Sequence, residues 1–277
     1  MEDFNEILND LVQALQSAAL REIMPRFRDR AFSIGCKGAA DDVVTDADIG
    51  AERAITERLQ SLYPMALIVG EEAASTAPAL LSGLSDADLA FILDPLDGTS
   101  NFAAGLPLFT VIGAIASRGR TVAGAIVDPV CGDAMFAVMG SGAWHLSRHG
   151  ERRKLASATA RPLRNSRAAG LCLNTESASR AAVISRLSGL GSFSALRCAG
   201  HEYRMMASGH YDFSIYMGEP LHPWDHAAGI LLCREAGGYA ATLQGELWEG
   251  LTPATSLLCA SSRAQWQSAE EHLNGQQ

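Results

Sequence analysis

The chain has 277 residues, 48% of them hydrophobic, and a formal net charge of −9, enough apolar content for one large core or two closely packed halves. That acidic balance excludes the basic face of a nucleic-acid footprint, so an anionic substrate would have to be attracted by bound cations. Six cysteines (Cys36, Cys131, Cys172, Cys198, Cys233 and Cys259) form no Cys-x-x-Cys pair, which excludes a zinc ribbon and a redox motif and reads as buried thiols in a reducing cytoplasm.

The N-terminus, Met1-Glu-Asp-Phe-Asn-Glu, is acidic where a secretory leader is basic, and no apolar leader core follows. Phe4, Ile7, Leu8, Leu11, Val12, Leu15 and Ala19 fall at helical spacing, predicting a helix over 3–24 that ends at Pro25. Residues 33–42 lose that pattern in favour of Gly35, Lys37, Gly38 and paired acids, the composition of a loop. In Val43-Val-Thr-Asp-Ala-Asp48, Thr45 and Asp48 fit a capping box for a helix carrying Ala51, Ala54, Ile55 and Leu59. A short strand over 66–69 then delivers Gly70-Glu71-Glu72, a pair that alone reads as a solvated turn.

A second apolar run, Leu89 to Leu93, leads into Asp94-Pro-Leu-Asp-Gly-Thr-Ser-Asn-Phe102. The strand is expected to end there, with Pro95 stiffening a turn that splays Asp94 and Asp97 around one point. Two acids three apart in a rigid turn suit a hard divalent cation, and the amides of Gly98, Thr99 and Ser100 suit an anion if a helix starts there. Asp-Pro and Asp-Gly are also ordinary turn dipeptides, so the remainder of the chain decides between a site and a surface turn. The most apolar stretch, 103–117, is interrupted by Gly105, Pro107 and Gly113 and is no membrane span.

From 107 to 155, short apolar runs punctuated by tight turns predict an antiparallel meander, with Gly140 and Gly142 as turn residues. After the basic stretch 152–167 come strands over 168–173, 194–198, 211–217, 239–243 and 256–260. Helices over 178–187, 201–208, 224–236 and 263–273 alternate with them, so this half is read as layered α/β. Pro223 opens the helix that carries Asp225 in its first turn, where a cap is the structural reading. Glu71, Asp94, Asp97 and Asp225 thus all stand at element ends, where the sites of layered α/β proteins gather. Four converging carboxylates repel one another unless cations intervene, and two divalent ions would balance them while leaving positions for a phosphate and a water.

These motifs, in order, resemble the inositol monophosphatase superfamily of magnesium-dependent, lithium-sensitive phosphomonoesterases. The resemblance runs through Val43-Val-Thr-Asp-Ala-Asp48, Gly70-Glu-Glu72, Asp94 to Phe102, and Trp224-Asp-His-Ala-Ala-Gly229 through Glu235-Ala-Gly-Gly238. It implies a layered α/β/α/β/α sandwich over 1–277, with an α+β half over 1–155 and an α/β half over 156–277. By the same resemblance Glu71, Asp94 and the Leu96 carbonyl hold one Mg2+, while Asp94, Asp97 and Asp225 hold a second. Glu71 helps to place a third, looser ion. Thr99 paired with Asp48 takes the proton from the attacking water, Gly98 and Thr99 grip the phosphate by their amides, and Glu72 and Lys37 support the ligands. The resemblance implies a homodimer acting on a small phosphorylated polyol or sugar-like substrate, while charge, cysteines and hydropathy predict a cytoplasmic protein with no nucleic-acid or membrane partner.

The substrate side departs from the family pattern. Gly200-His-Glu-Tyr203 stands where small residues usually line the alcohol pocket, which makes His201 and Glu202 candidate substrate contacts, and Glu219 aligns with a substrate glutamate only after a shift. His222 and His226 are four apart, but Pro223 between them argues against a zinc site. Inositol monophosphate is the leading expectation, with histidinol phosphate, 3'-phosphoadenosine 5'-phosphate and fructose 1,6-bisphosphate as alternatives. A regulatory scaffold acting through protein partners is the alternative of another class.

Overall fold

The computed structural model describes residues 4–29, 34–36, 43–173 and 177–275. Helix α1 (Phe4–Ala18) buries Ile7, Leu8, Leu11, Val12, Ala14, Leu15 and Ala18 on one face, as its three-and-four spacing demands. It runs on through a π-helical turn, Ala19–Ile23, before Pro25 closes the segment in a single 3-10 turn. Strands β1 (Ile34–Cys36) and β2 (Val43–Thr45) pair antiparallel and lead into α2 (Asp46–Leu62).

A seven-stranded sheet follows, in simple sequence order: β3 (Leu67–Gly70), β4 (Ala90–Asp97), β5 (Thr110–Ser117), β6 (Arg120–Asp128), β7 (Asp133–Val138), β8 (Gly142–Leu146) and β9 (Arg152–Lys154). Only β3 and β4 are parallel; the remainder is the expected meander. Helix α3 (Glu71–Thr76) follows β3 directly, and α4 (Thr99–Ala103) follows β4 across Gly98. Two carboxylate oxygens of Glu235 accept from the amides of Gly140 and Gly142 at 2.7 Å each, so that glycine pair is a turn held from the far half of the chain.

The second sheet, ordered β11-β10-β12-β14-β13, comprises β10 (Arg167–Leu173), β11 (Ser192–Ser194), β12 (Phe213–Leu221), β13 (Tyr239–Ala241) and β14 (Ala254–Ala260). Its helices are α5 (Ser177–Leu187), α6 (Ala199–Ala207), α7 (Pro223–Glu235) and α8 (Arg263–Asn274). One departure from expectation lies here: the strand placed over 194–198 ends at Ser194, and α6 begins at Ala199, two residues earlier than periodicity suggests.

Three apolar cores set the layering. One packs α1 and α2 against one face of the seven-stranded sheet through Leu11, Leu15, Ile55, Leu59, Phe91 and Val111. Another, including Ile92, Ile112, Ile126, Tyr203, Ala228 and Leu257, fills the space between the two sheets, where α6 and α7 lie. The third packs α5 and α8 on the outer face of the five-stranded sheet through Leu187, Phe213, Leu258 and Trp266. The order is therefore α/β/α/β/α, as expected. Every residue of β4 is buried because helices cover both its faces, and each such apolar side chain contributes about 1.5–3 kcal/mol. No helix among the described residues is long and apolar enough to cross a membrane. Of the described cysteines, Cys198, Cys233 and Cys259 are buried free thiols, whereas Cys131 is exposed, a correction to the reading of all six as buried.

Candidate active site

Strand register builds the site. Gly70 of β3 lies beside Leu93 of β4 in a parallel pair, so both strands end at one edge and the next residues, Glu71 and Asp94, emerge together. Strand β4 does not stop at Asp94 as expected. It continues through Asp97 with a register shift between the two acids, which leaves Asp97 opposite Thr110 of β5. Asp225 arrives from the opposite direction, in the first turn of α7 behind Pro223. Carboxylate oxygens of Asp94, Asp97 and Asp225 all lie within 4.8 Å of one another.

Asp94 is 1% exposed, and burial is the largest cause pushing its pKa well above the usual carboxylate range. Glu71, Asp97, Asp225 and Asp48 each add a further upward push. The Leu96 amide donates to Asp94 Oδ1 at 3.0 Å, fixing the carboxyl within the bulge. Asp97 is held by neutral donors: the Thr110 hydroxyl at 2.9 Å, the Cys198 thiol at 2.9 Å, and the amides of Ala199 at 3.1 Å and Gly200 at 2.7 Å. An all-oxygen set of crowded carboxylates beside the Leu96 carbonyl fits a hard divalent cation, and poorly fits a metal that prefers nitrogen or sulfur.

Asp48 combines two roles. Its Oδ2 accepts from the Thr45 amide at 2.8 Å, completing the capping box of α2, while its Oδ1 accepts from the Thr99 hydroxyl at 3.1 Å. Burial, its largest cause, raises the Asp48 pKa to about 6. Thr99 Oγ1 also lies 2.8 Å from the Leu96 carbonyl, so its single proton has two acceptors. Gly98, at φ 88°, turns the chain from β4 into α4; a Cβ there would sit 2.8 Å from the Leu108 carbonyl, so the turn requires glycine.

The remaining expected residues are dispersed. Glu72 stands half-buried in the first turn of α3, and its electrostatic effect reaches Asp48. Glu202 is 3% exposed and turned inward, accepting from the Leu196 amide at 3.0 Å and lying against Gly170 and Tyr216; burial raises its pKa to about 8. His201 is 8% exposed, with a pKa lowered chiefly by burial, and its Nε2 has no hydrogen-bond partner among the described residues. His226 is buried with Nδ1 2.9 Å from the Tyr203 hydroxyl, and the His222 ring stacks on Trp224, so the two imidazoles are committed to packing. Lys37 and the side chain of Glu219 lie outside the described residues.

Sequence reasoning overlooked four supports. Cys198 and Thr110 hold Asp97 across long sequence separations, which no local pattern announces. Asn101 Nδ2 donates to the carbonyls of Leu108 and Leu196 at 2.8 Å each, tying the β4 turn to the segment before α6. Glu52 caps α3 through the amides of Glu72 and Ala73, both at 2.8 Å. Its position was legible, four residues after Asp48 on one face of α2.

A model described as "Inositol monophosphatase family" matches residues 4–277. The chain is 32% identical over 213 residues to the Nus factor SuhB of Pasteurella multocida, covering 75% of this chain and 74% of that protein. It is 33% identical over 253 residues to the Nus factor SuhB of Pseudomonas aeruginosa, covering 86% of each. Among solved structures, the extragenic suppressor protein suhB from Bartonella henselae superposes with a TM-score of 0.82 at 26% identity, over 97% of this chain and 98% of that one.

Proposed function

The chain belongs to the inositol monophosphatase family, and from that premise we propose that it is a divalent-metal-dependent phosphomonoesterase whose substrate is inositol monophosphate. The observation that carries the reading is the meeting of Asp94, Asp97 and Asp225 from two distant parts of the chain, with Glu71 raising the pKa of Asp94 alongside them. Asp94, Asp97, Asp225, Glu71 and the Leu96 carbonyl would hold two to three Mg2+. When bound, such ions supply charge neutralisation at the phosphate and acidify water.

The chain's own groups then divide the work. The amides of Gly98 and Thr99, at the start of α4, would donate to phosphate oxygens. Thr99 Oγ1, donating to Asp48, presents a lone pair to the attacking water. As the water oxygen bonds to phosphorus and the ester oxygen departs on the opposite side, the water proton passes to the Thr99–Asp48 pair, the departing oxygen takes a proton from solvent water, and Asp48 later returns its proton to solvent. With its pKa at about 6, Asp48 is ionised near neutrality and accepts that proton readily. Glu202, buried and accepting from the Leu196 amide, is given no step in this chemistry.

A phosphate-release panel tests the substrate: inositol monophosphate, histidinol phosphate, 3'-phosphoadenosine 5'-phosphate and fructose 1,6-bisphosphate, each with Mg2+. The reading expects inositol monophosphate to lead, and a hundredfold preference for another ester overturns the assignment. A second reading, action through partners, is favoured by the Nus factor name that the curated relatives bear. Asp94→Asn separates the two: a partner-based role survives the loss of metal, whereas an enzymatic role does not. A homodimer is part of the proposal and is checked by light scattering.

A further inference from the structure

Helix α6 touches both arms of the acid cluster. At its start, Cys198, Ala199 and Gly200 hold Asp97; one turn on, Tyr203 hydrogen-bonds His226 of α7, the neighbour of Asp225. The helix is wedged tightly. A Cβ on Gly200 would fall 2.1 Å from Thr110 Oγ1, and one on Gly229 would fall 2.1 Å from Tyr203 Cδ2. Small shifts of α6 therefore move Asp97 and α7 together.

What fixes α6 on the seven-stranded sheet is a buried polar lock that the chemistry leaves unused. Arg204, 7% exposed, places Nη2 2.6 Å from Asp133 Oδ1 and 3.9 Å from Asp128 Oδ2, and its Nη1 donates to the Ile126 carbonyl at 3.2 Å. Asp133 Oδ2 is in turn 2.6 Å from His145 Nε2 on β8, and Asp128 Oδ1 accepts from the amides of Val130 and Cys131. The guanidinium fork thus grips β6 and β7 at once, a geometry that a lysine cannot reproduce.

We propose that Arg204 is a positioning residue for the divalent-metal centre, its lock on Asp133 and the Ile126 carbonyl setting the place of α6 and hence of Asp97. The inference rests on the reading that Asp97 and Asp225 hold metal. Loss of such outer support lowers metal affinity by roughly 10–100-fold, and that is the effect expected here.

The experiment is calorimetric titration of Mg2+ into the metal-stripped full chain, with Mn2+ binding by electron paramagnetic resonance as a second readout. Wild type, Arg204→Met, Arg204→Lys, Asp133→Asn and the double variant Arg204→Met/Asp133→Asn are compared with Leu273→Ala, which loosens the distant outer core. Expected are a Mg2+ affinity at least tenfold weaker in Arg204→Met and Asp133→Asn, partial recovery in Arg204→Lys, and a double variant no worse than either single one. Leu273→Ala should bind as wild type does, so general loosening is not the cause. If Arg204→Met does not fold, Asp133→Asn carries the test, because the Ile126 contact remains. Wild-type affinity in folded Asp133→Asn and Arg204→Lys overturns the proposal and spares the metal reading. No Mg2+ binding in wild type overturns both.

Discussion

Two groups of buried and half-buried carboxylates meet the same helix, α6, and they are built on opposite principles. Asp128 and Asp133 are neutralised from within, by Arg204 and by hydrogen bonds from His145 and backbone amides. Asp94 sits among acids that all push its pKa upward, and the donors on Asp97 are neutral. The first arrangement is complete as folded and serves to hold elements in place. The second crowds acids together with no cationic side chain among the hydrogen bonds described for Asp94 and Asp97, the arrangement that the proposed cations would relieve. The same residue type thus marks structure or chemistry according to its partners.

The contrast is sharpest in what removing a charge does. Asp94→Asn should abolish phosphate release and Mg2+ binding while raising the melting temperature of the metal-free protein, since it replaces a buried acid crowded by other acids with a neutral amide. Kinetics and calorimetry in chelator check both halves, and a lower metal-free melting temperature would break the comparison. Thr99→Val should lower kcat by roughly 10²–10⁴-fold with Mg2+ affinity retained, because it removes the proton's path and not a ligand. A variant that loses metal affinity instead would assign Thr99 to the cation site.

Asp133→Ala should do the reverse of Asp94→Asn and lower metal-free stability, because it leaves the buried Arg204 with only the Ile126 carbonyl and the more distant Asp128. Urea unfolding measures this, and an unchanged midpoint would show that the lock is not internally neutralised. Glu202→Gln isolates through pH a third buried carboxyl, that of α6 itself. The Glu202 pKa is raised from 4.5 to about 8, so its contribution is fully present below pH 4.5, declines as pH rises, and is gone above about 8. Each pH unit in that window is worth about 1.4 kcal/mol, and Glu202→Gln should flatten the decline in stability between pH 5 and 8. An identical slope in the variant would contradict the burial of this carboxyl as the cause.

Local pattern carried most elements: the helical spacing of α1, the capping box of Thr45 and Asp48, the meander and the proline start of α7 are each set by near neighbours in sequence. The proposed metal ligands were legible because Glu71 and Asp225 open helices behind Gly70 and Pro223, and Asp94 and Asp97 flank Pro95 and precede Gly98. The β4 bulge was not, since a strand running through Pro95 is decided by the β5 partner that Asp97 finds in Thr110. The orientation of Glu202 was equally hidden. An acid in Gly200-His-Glu-Tyr203 suggests a pocket surface, and only the packing of α6 between two sheets turns it inward. The supports from Cys198, Asn101 and Arg204 join segments tens of residues apart, so they exist only once the layers have formed.

Titration of Mg2+ into metal-stripped wild type, paired with phosphate release from inositol monophosphate in the same buffer, addresses the whole account most directly. Two or more ions should bind per chain, with hydrolysis that appears with them and disappears in chelator, and neither in Asp94→Asn. Hydrolysis persisting in chelator, or a wild-type chain that binds no Mg2+, would contradict it.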